Sequence, residues 1–200
     1  YHDAVIERSR KEVMHNMVEE NLGLITVRQV AEGIFNHCIV ANSVVESRIT
    51  LSNKGIAYVF PLYLYSDADK KDFFSPEEKK KPNLSPELYK SLSIAYNKKS
   101  IHGDILYYIY AILYSNTYRT KYQEFLKTDF PRIPFTKDYE IFKEMAGLGK
   151  ELVELHLLES KKLDKSIVKF PVKDGCKVEK REYKEKEEKV YINDKQYFSG

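Results

Sequence analysis

"GDILYYIYAILYSNTYRTKYQEFLKTD", residues 103–129, decides how this chain folds. At 100° per residue Ile105, Leu106, Ile109, Ile112 and Leu113 gather on one side of a helix, and Tyr107, Tyr110 and Tyr114 gather on the opposite side. A helix apolar on both sides must be covered on both sides, so the segment is expected to sit in the middle of the domain. The tyrosine side reads either as a second packing layer with its hydroxyls at a wet edge, or as a face for base stacking or partner docking. Directly after it comes "TDFPRIPF", residues 128–135. Each proline fixes its own backbone torsion and pushes the residue before it out of the helical region, so this phrase is expected to be a stiff, extended connector. Phe130, Ile133 and Phe135 are available to anchor it, and Arg132 can point at something else. Then "DYEIFKEMAGLGKELVELHLLES" resumes a helix, with Ile141, Met145, Leu148, Leu152 and Leu155 at three- and four-residue steps. His156 on that segment reads as an ordinary helix residue rather than a ligand or a base.

Working outward toward the N-terminus, residues 84–97 restart a helix, with Ser85 placed as N-cap and Pro86 in the first turn. Residues 66–83 are polar and proline-punctuated and predict a surface loop. From Leu22 to Tyr65 the text is "LGLITVRQV", "NHCIVANSVVESRITLS" and "GIAYVFPLYLY", β-branched and aromatic runs separated by turn residues, which predicts three or more strands. Residues 4–20 predict a short helix with Val5, Val13 and Met17 on one face. Toward the C-terminus, "KVYINDKQYF" carries an Asn-Asp turn between two β-favouring runs and predicts a hairpin. The expected class is α+β: a strand-rich part over 1–65 behind a short helix, the loop 66–83, a helical middle over 84–160, and strands or a hairpin over 166–200. All of it is read as one domain, and the start at Tyr1 rather than Met marks it as a piece of a longer polypeptide.

Composition narrows the function. Hydrophobic residues make up 42% and charged residues 32%, as in a soluble globular protein, whereas 16 Tyr with no Trp is unusual. A net charge of +3 permits a polyanionic partner without demanding one, because acids are interleaved with the bases. Cys38 and Cys176 stand apart from each other and from any His at zinc-ligand spacing, which points to a reducing cytoplasm rather than a disulfide framework or metal site. The run Ile105 to Tyr114 is too short to span a bilayer and no signal peptide opens the chain, so no membrane partner is expected.

Catalytic constellations fail one by one. "AGLGKE" around Gly147 and Lys150 lacks the first Gly of a phosphate loop, where Glu144 stands, and has Glu151 where Ser or Thr is required. Glu77, Glu78 and Lys79 could imitate the carboxylates and lysine of a metal-dependent nuclease, but they lie in the polar loop with no rigid strand beneath them. No nucleophile elbow and no dinucleotide fingerprint is present. No catalytic or metal-binding residue is assigned.

"IERSRKEVMHNM" with "NLGLITVRQV", then "VFPLYLY", then "ILYYIYAILYSNTYRTKYQEFLKTDFPRIPF", then "LGKELVELHLLE" and finally "KVYINDKQYF" resemble, in this order, the C-terminal specificity region of Type ISP restriction-modification enzymes and their Type IIG relatives. In those single polypeptides a nuclease, an N6-adenine DNA methyltransferase and a target-recognition domain are fused, sometimes with a helicase. The likeness covers nearly the whole chain, and the FPRIPF phrase is its most specific part. "ERSR" departs from relatives that often have Pro in the third place. The family's Asn-Pro-Pro-Tyr-like tetrapeptide and Gly-rich S-adenosylmethionine loop are missing and would lie upstream. The Trp- and Gly-containing segment that usually follows the last hairpin is missing too, so the C-terminus is expected to be truncated.

The resemblance implies a DNA-binding module that finds a short asymmetric site for a methyltransferase domain of the same polypeptide, in a bacterial cytoplasm. It implies no cofactor in this segment and S-adenosylmethionine in the parent methyltransferase, which must flip an adenine out of the stack to reach its amino group. Arg, Gln and Asn side chains match guanine and adenine edges. The candidates for contact with double-stranded DNA are therefore Arg28 and Gln29 in "VRQV", and Asn42, Ser47 and Arg48 in "ANSVVESRIT". Lys98 and Lys99, with His102, form a loop suited to phosphates, and Arg132 serves either phosphate or an internal salt bridge. The alternatives are a structural coupler between methyltransferase and motor or nuclease domains that never touches bases, and a segment that is itself an enzyme.

Overall fold

The computed structural model describes residues 11–30, 33–46, 49, 56–65, 80–98, 101–165, 168–173 and 175–199. Contacts divide the chain into two units, Tyr1–Leu158 and Glu159–Gly200. The first opens with α1 (Lys11–Met14), continued by a 3-10 turn at His15–Met17. Strands β1 (Gly23–Val27), β2 (Cys38–Ala41), β3 (Ala57–Pro61), β4 (Tyr63–Tyr65) and β5 (Lys80–Pro82) follow. Helices α2 (Pro86–Tyr96), α3 (His102–Tyr114), α4 (Asn116–Lys121), α5 (Gln123–Thr128) and α6 (Tyr139–His156) complete this unit. The second unit holds β6 (Glu182–Lys184), β7 (Lys189–Tyr191) and β8 (Tyr197–Ser199). The α+β expectation is met, with the strands in small antiparallel sheets.

β1 is the centre of the sheet β2-β1-β3, with Leu24 opposite both Val40 and Phe60. All five of its residues are buried, which is why "GLITV" is apolar without alternation. Among the described residues the second β-run forms a strand at Cys38–Ala41, and the third breaks at Leu62 into β3 and β4. The surface loop expected over 66–83 is corrected at its end. Lys80–Pro82 forms β5 and pairs with β4, so polar composition hid an edge strand whose Tyr63 partner, Pro82, has no N–H to offer. The edge of β4 is completed by side chains. Asn21 donates to the carbonyls of Asn16 and Tyr63, both at 2.8 Å, and accepts from the N–H groups of Leu22 and Tyr63. Asn16 accepts from Tyr65 N–H at 2.7 Å.

Helix α3 is covered on both sides, as its sequence requires. Tyr110 and Leu113 join a core with Leu24, Cys38 and Val40 of the sheet, while Ile105 and Tyr108 join a second core with Leu92, Tyr96 and Phe142 of α2 and α6. The single long helical stretch read over 103–129 is cut into three. Ser115 is extended and its hydroxyl accepts from Tyr118 N–H, and Arg119 Nε donates to the Leu113 carbonyl at 2.5 Å, placing a cation at the α3 C-terminus. Helix α2 begins as read, with Ser85 accepting from Leu88 N–H, and it ends at Asn97 in the left-handed region, φ 51°. Asp138 caps α6 through Glu140 and Ile141 N–H.

On α6, Phe142, Ala146, Gly149 and Val153 are buried against the rest of the unit. Met145 and Leu152 of the longer apolar stripe pack partly buried against the cores, while its Ile141 and Leu148 are 51% and 58% exposed. Gly149 explains the choice: a Cβ there would lie 1.9 Å from the Tyr107 carbonyl oxygen, so α6 crosses α3 where no side chain intervenes. "AGLGKE" is a helix-crossing motif, not a phosphate loop.

The tyrosines answer the question the connector posed. Tyr118 donates to the Arg132 carbonyl at 2.9 Å, Tyr108 to Pro134 at 2.8 Å and Tyr96 to Thr136 at 2.5 Å. In the proline-stiffened connector the carbonyls of Arg132, Pro134 and Thr136 are thus satisfied by phenols rising from three helices. Tyr110 and Tyr114 are likewise occupied, with the His156 ring and the Cys38 carbonyl, so the packing-layer reading of the tyrosine face holds. Replacing Tyr108 and Tyr118 with Phe is expected to destabilise by about 1–2 kcal/mol each, because each leaves a half-buried carbonyl unpaired. Denaturant unfolding measures the loss, and faster amide exchange at 133 and 135 localises it.

In the second unit β6, β7 and β8 form one antiparallel sheet, with Tyr183, Val190 and Phe198 in register. The expected hairpin is β7–β8, turned by Asn193, whose Oδ1 accepts from Lys195 and Gln196 N–H. Sequence reading missed β6 because its lysines and glutamates look like a solvated run. The unit is held by Gln196, 1% exposed, which donates to the Val172 carbonyl and accepts from Asn193.

Candidate nucleic-acid interface

Of the sequence candidates among the described residues, Arg28, Gln29 and Arg132 lie along the α5–connector junction, and Asn42 and Lys98 do not. β1 ends at Val27, and the chain turns along the C-terminal end of α5, where Val30 N–H donates to the Lys127 carbonyl. Arg28 Nε meets Asp129 Oδ1 at 3.1 Å, and Gln29 Nε2 donates to the Thr128 carbonyl at 3.3 Å. Arg132, exposed on the connector, lays its guanidinium 4.9 Å from the centre of the Phe125 ring, a cation–π contact. Arg132 also favours the ionised form of the Asp129 carboxyl, less than Arg28 does.

Asp129 is the member that sequence reading overlooked. The Phe130 N–H and the Arg28 guanidinium hold its carboxyl below the ordinary aspartate range. The ion pair is therefore intact above the unfolded-state value and is lost as pH falls through the lowered folded-state value. The arginine side chain is 60% exposed and the carboxylate 42%, so the pair orients more than it stabilises. Beside it, Phe130 meets Tyr58 and Phe60 of β3 edge-on, ring centres 5.0 and 5.8 Å away. Tyr58 and Phe60 remain 42% and 41% exposed. The surface therefore offers two guanidinium groups, one amide and an aromatic shelf on a base that the tyrosine straps hold rigid. The alternation in "AYVFP" was the available signal for the shelf, and the acid at the helix end before "FPR" was the signal for Asp129.

The other described candidates lie elsewhere. Asn42 is exposed in the bend after β2. Lys98, exposed after α2, rests over the Tyr139 ring at 5.0 Å, and His102 stacks on Tyr89 at 4.3 Å. Ser47, Arg48 and Lys99 lie outside the described residues, as do Glu77, Glu78 and Lys79. Burial pushes the Cys38 thiol up to about 12, so it is no nucleophile. Among the described residues no group of three His, Cys, Asp or Glu side chains is placed to hold a metal ion, and no helix is long and apolar enough to cross a membrane.

The model of the Type ISP C-terminal specificity domain matches residues 1–200. The chain belongs to that family. No curated protein matches this specificity domain significantly. Among solved structures it is similar to the ATP-dependent Type ISP restriction-modification enzyme LlaBIII bound to DNA, with TM-score 0.65 and 22% identity over 90% of this chain and 11% of that one. It is similar to the DrdV–DNA complex seen by cryo-electron microscopy, with TM-score 0.64 and 22% identity over 90% of this chain and 18% of that one. It is also similar to a nuclease-deletion mutant of the Type ISP enzyme LlaGI in complex with a DNA substrate mimic, with TM-score 0.58 and 18% identity over 90% of this chain and 15% of that one. These likenesses concern the fold, and the specificity domain spans less than a fifth of each of those chains.

Proposed function

We propose that this specificity domain reads the DNA sequence on behalf of a larger restriction-modification polypeptide and places a fused N6-adenine methyltransferase on its site. The observation that carries the reading is the match to the specificity-domain family over the whole chain, together with the gathering of Arg28, Gln29 and Arg132 on one rigid surface. Base edges are discriminated only by donors and acceptors held in register, and the strapped connector supplies that rigidity. Arg28 is the group for a guanine edge and Gln29 for an adenine edge, with Asp129 fixing the plane of the guanidinium. Arg132 and Lys98 are the groups for phosphate, with Lys99 beside Lys98 in sequence. Asn42, Ser47 and Arg48 are further candidates for contact with DNA. S-adenosylmethionine belongs to the methyltransferase domain, and adenine flipping into that domain is the step this module positions. The setting is the bacterial cytoplasm.

Selection from a pool of random duplex DNA at low and moderate salt, followed by sequencing of the retained fraction, tests the reading. One short enriched motif is expected, and salt-sensitive binding without enrichment would sink it. On that motif Arg28→Ala is expected to lower discrimination at one base pair by about 5- to 150-fold, the worth of one bidentate contact. Lys98→Ala is expected to weaken all sequences alike and reduce the salt slope by about one. Exchange of residues 22–65 with a relative of different specificity separates recognition from a purely coupling role, because only recognition changes the sequence methylated.

A further inference from the structure

We infer that Tyr58 and Phe60 of β3 are specificity residues, meeting the 5-methyl group of a thymine beside the base pair that Arg28 reads. The inference deepens the proposed recognition role and rests on it. β3 lies at the edge of its sheet. Ala57 and Val59 are half-buried and Pro61 is buried, while Ile56, Tyr58 and Phe60 are 56%, 42% and 41% exposed. Residues 56–62 carry no charge. An exposed edge strand is ordinarily guarded by charged side chains, because a bare apolar edge invites aggregation. An unguarded apolar row therefore marks a surface that something covers. Tyr58 stands opposite Thr26 and Phe60 opposite Leu24, and Leu24 is buried in the core with Tyr110 and Leu113 of α3. One face of the sheet is thus sealed at its central strand and open at its edge.

The occupant follows from the neighbours. Phe130 meets both rings edge-on, Asp129 next to it in the chain holds Arg28 at 3.1 Å, and Gln29 donates to the Thr128 carbonyl. The apolar row is continuous with a guanidinium and an amide. An apolar partner surface spread over all of them would leave the guanidinium, on a side chain 60% exposed, without water or acceptors. A DNA major groove supplies both chemistries on adjacent pairs. Guanine offers the O6 and N7 acceptors that suit Arg28, and thymine offers a methyl, the apolar group that distinguishes it from the other three bases. Strands enter that groove in sheet-type DNA readers. Exchange of the methyl for hydrogen leaves base pairing intact, so the contact can be weighed by itself.

In the motif retained by the 200-residue chain, each thymine is replaced in turn by deoxyuridine and binding is followed by fluorescence anisotropy. One replacement is expected to weaken binding about fourfold, the worth of one buried methyl, at a pair adjacent to that where Arg28→Ala loses discrimination. Tyr58→Thr or Phe60→Thr should abolish the difference between thymine and uracil, whereas Arg28→Ala should keep it. The ratio is taken within each protein, so lost stability in a variant does not imitate the effect. In the unaltered chain, 5-iododeoxyuridine at the sensitive position should crosslink to Tyr58 or Phe60 under ultraviolet light, read by peptide mass. A motif indifferent to uracil throughout, or one built of G·C pairs alone, overturns the inference and leaves recognition standing. A sensitive thymine that crosslinks elsewhere, or whose ratio survives both threonine substitutions, overturns the assignment and leaves the rings to packing or to a protein partner. Retention of DNA without any enriched motif removes the recognition reading and this inference together.

Discussion

Gly149→Ala is expected to destabilise the first unit by about 3 kcal/mol or more, because its added Cβ makes the closest approach of any among the described glycines. The new Cβ would stand 1.9 Å from the carbonyl oxygen of Tyr107 and 2.6 Å from its carbonyl carbon. Both atoms are backbone in the middle of α3, so no rotamer change relieves the overlap. The helices must separate, and separation opens the cores on either side of α3, where Tyr110, Phe142 and Ile105 are completely buried. For a domain of this size the loss corresponds to a drop in melting temperature of roughly 6–12 °C, measurable by circular dichroism. Gly147→Ala is the matched control. It lies two residues away on the same helix, with nothing within 4 Å of its Cβ direction, and is expected to stabilise by about 0.5–1 kcal/mol through helix propensity. Equal effects from the two substitutions would show that α3 and α6 do not cross at Gly149.

Asn21→Leu is expected to cost about 3–5 kcal/mol although the two side chains branch at the same atom. The amide satisfies four backbone groups at once, at Asn16, at Leu22 and at both the N–H and the carbonyl of Tyr63. Leucine leaves all four without partners in a buried setting, and each unmade bond costs about 1–3 kcal/mol before relaxation. Asn21→Asp separates the donors from the acceptors. The carboxylate still accepts from Leu22 and Tyr63 but faces the carbonyl oxygens of Asn16 and Tyr63, which raises its folded-state pKa above the ordinary value of about 3.9. The neutral acid can donate and the carboxylate cannot, so the variant's deficit is smallest below that ordinary value. The deficit grows as pH rises toward the elevated folded value. Urea unfolding at pH 4 and pH 7 measures the difference, and a pH-independent deficit would mean that the donated bonds contribute nothing.

The groups that pull together the candidate interface were legible only in part. Arg28, Gln29 and Arg132 stood out as residue types able to meet bases or phosphates, but 103 positions separate Arg28 from Arg132 in the chain, and only the α5–connector junction makes them neighbours. Asp129 was invisible as a partner because an acid at a helix end reads as ordinary termination. Lys98 was correctly placed at the surface, yet its position over Tyr139 depends on how α2 meets α6.

By itself the sequence determined what depends on local chemistry: the cap at Ser85, the extended connector at its prolines, the buried central strand at "GLITV", and a middle helix apolar on both sides. Each follows from torsional limits or from burial periodicity within a dozen residues. Tertiary structure alone decided which of two apolar stripes on α6 turns inward. Hydrophobicity favoured Ile141, Met145, Leu148, Leu152 and Leu155, but the stripe with Gly149 lets two backbones approach more closely than any larger side chain allows. It likewise decided that the tyrosines hold carbonyls of the connector rather than face solvent. A phenol's partner is a matter of where another segment passes, and no local spacing encodes that.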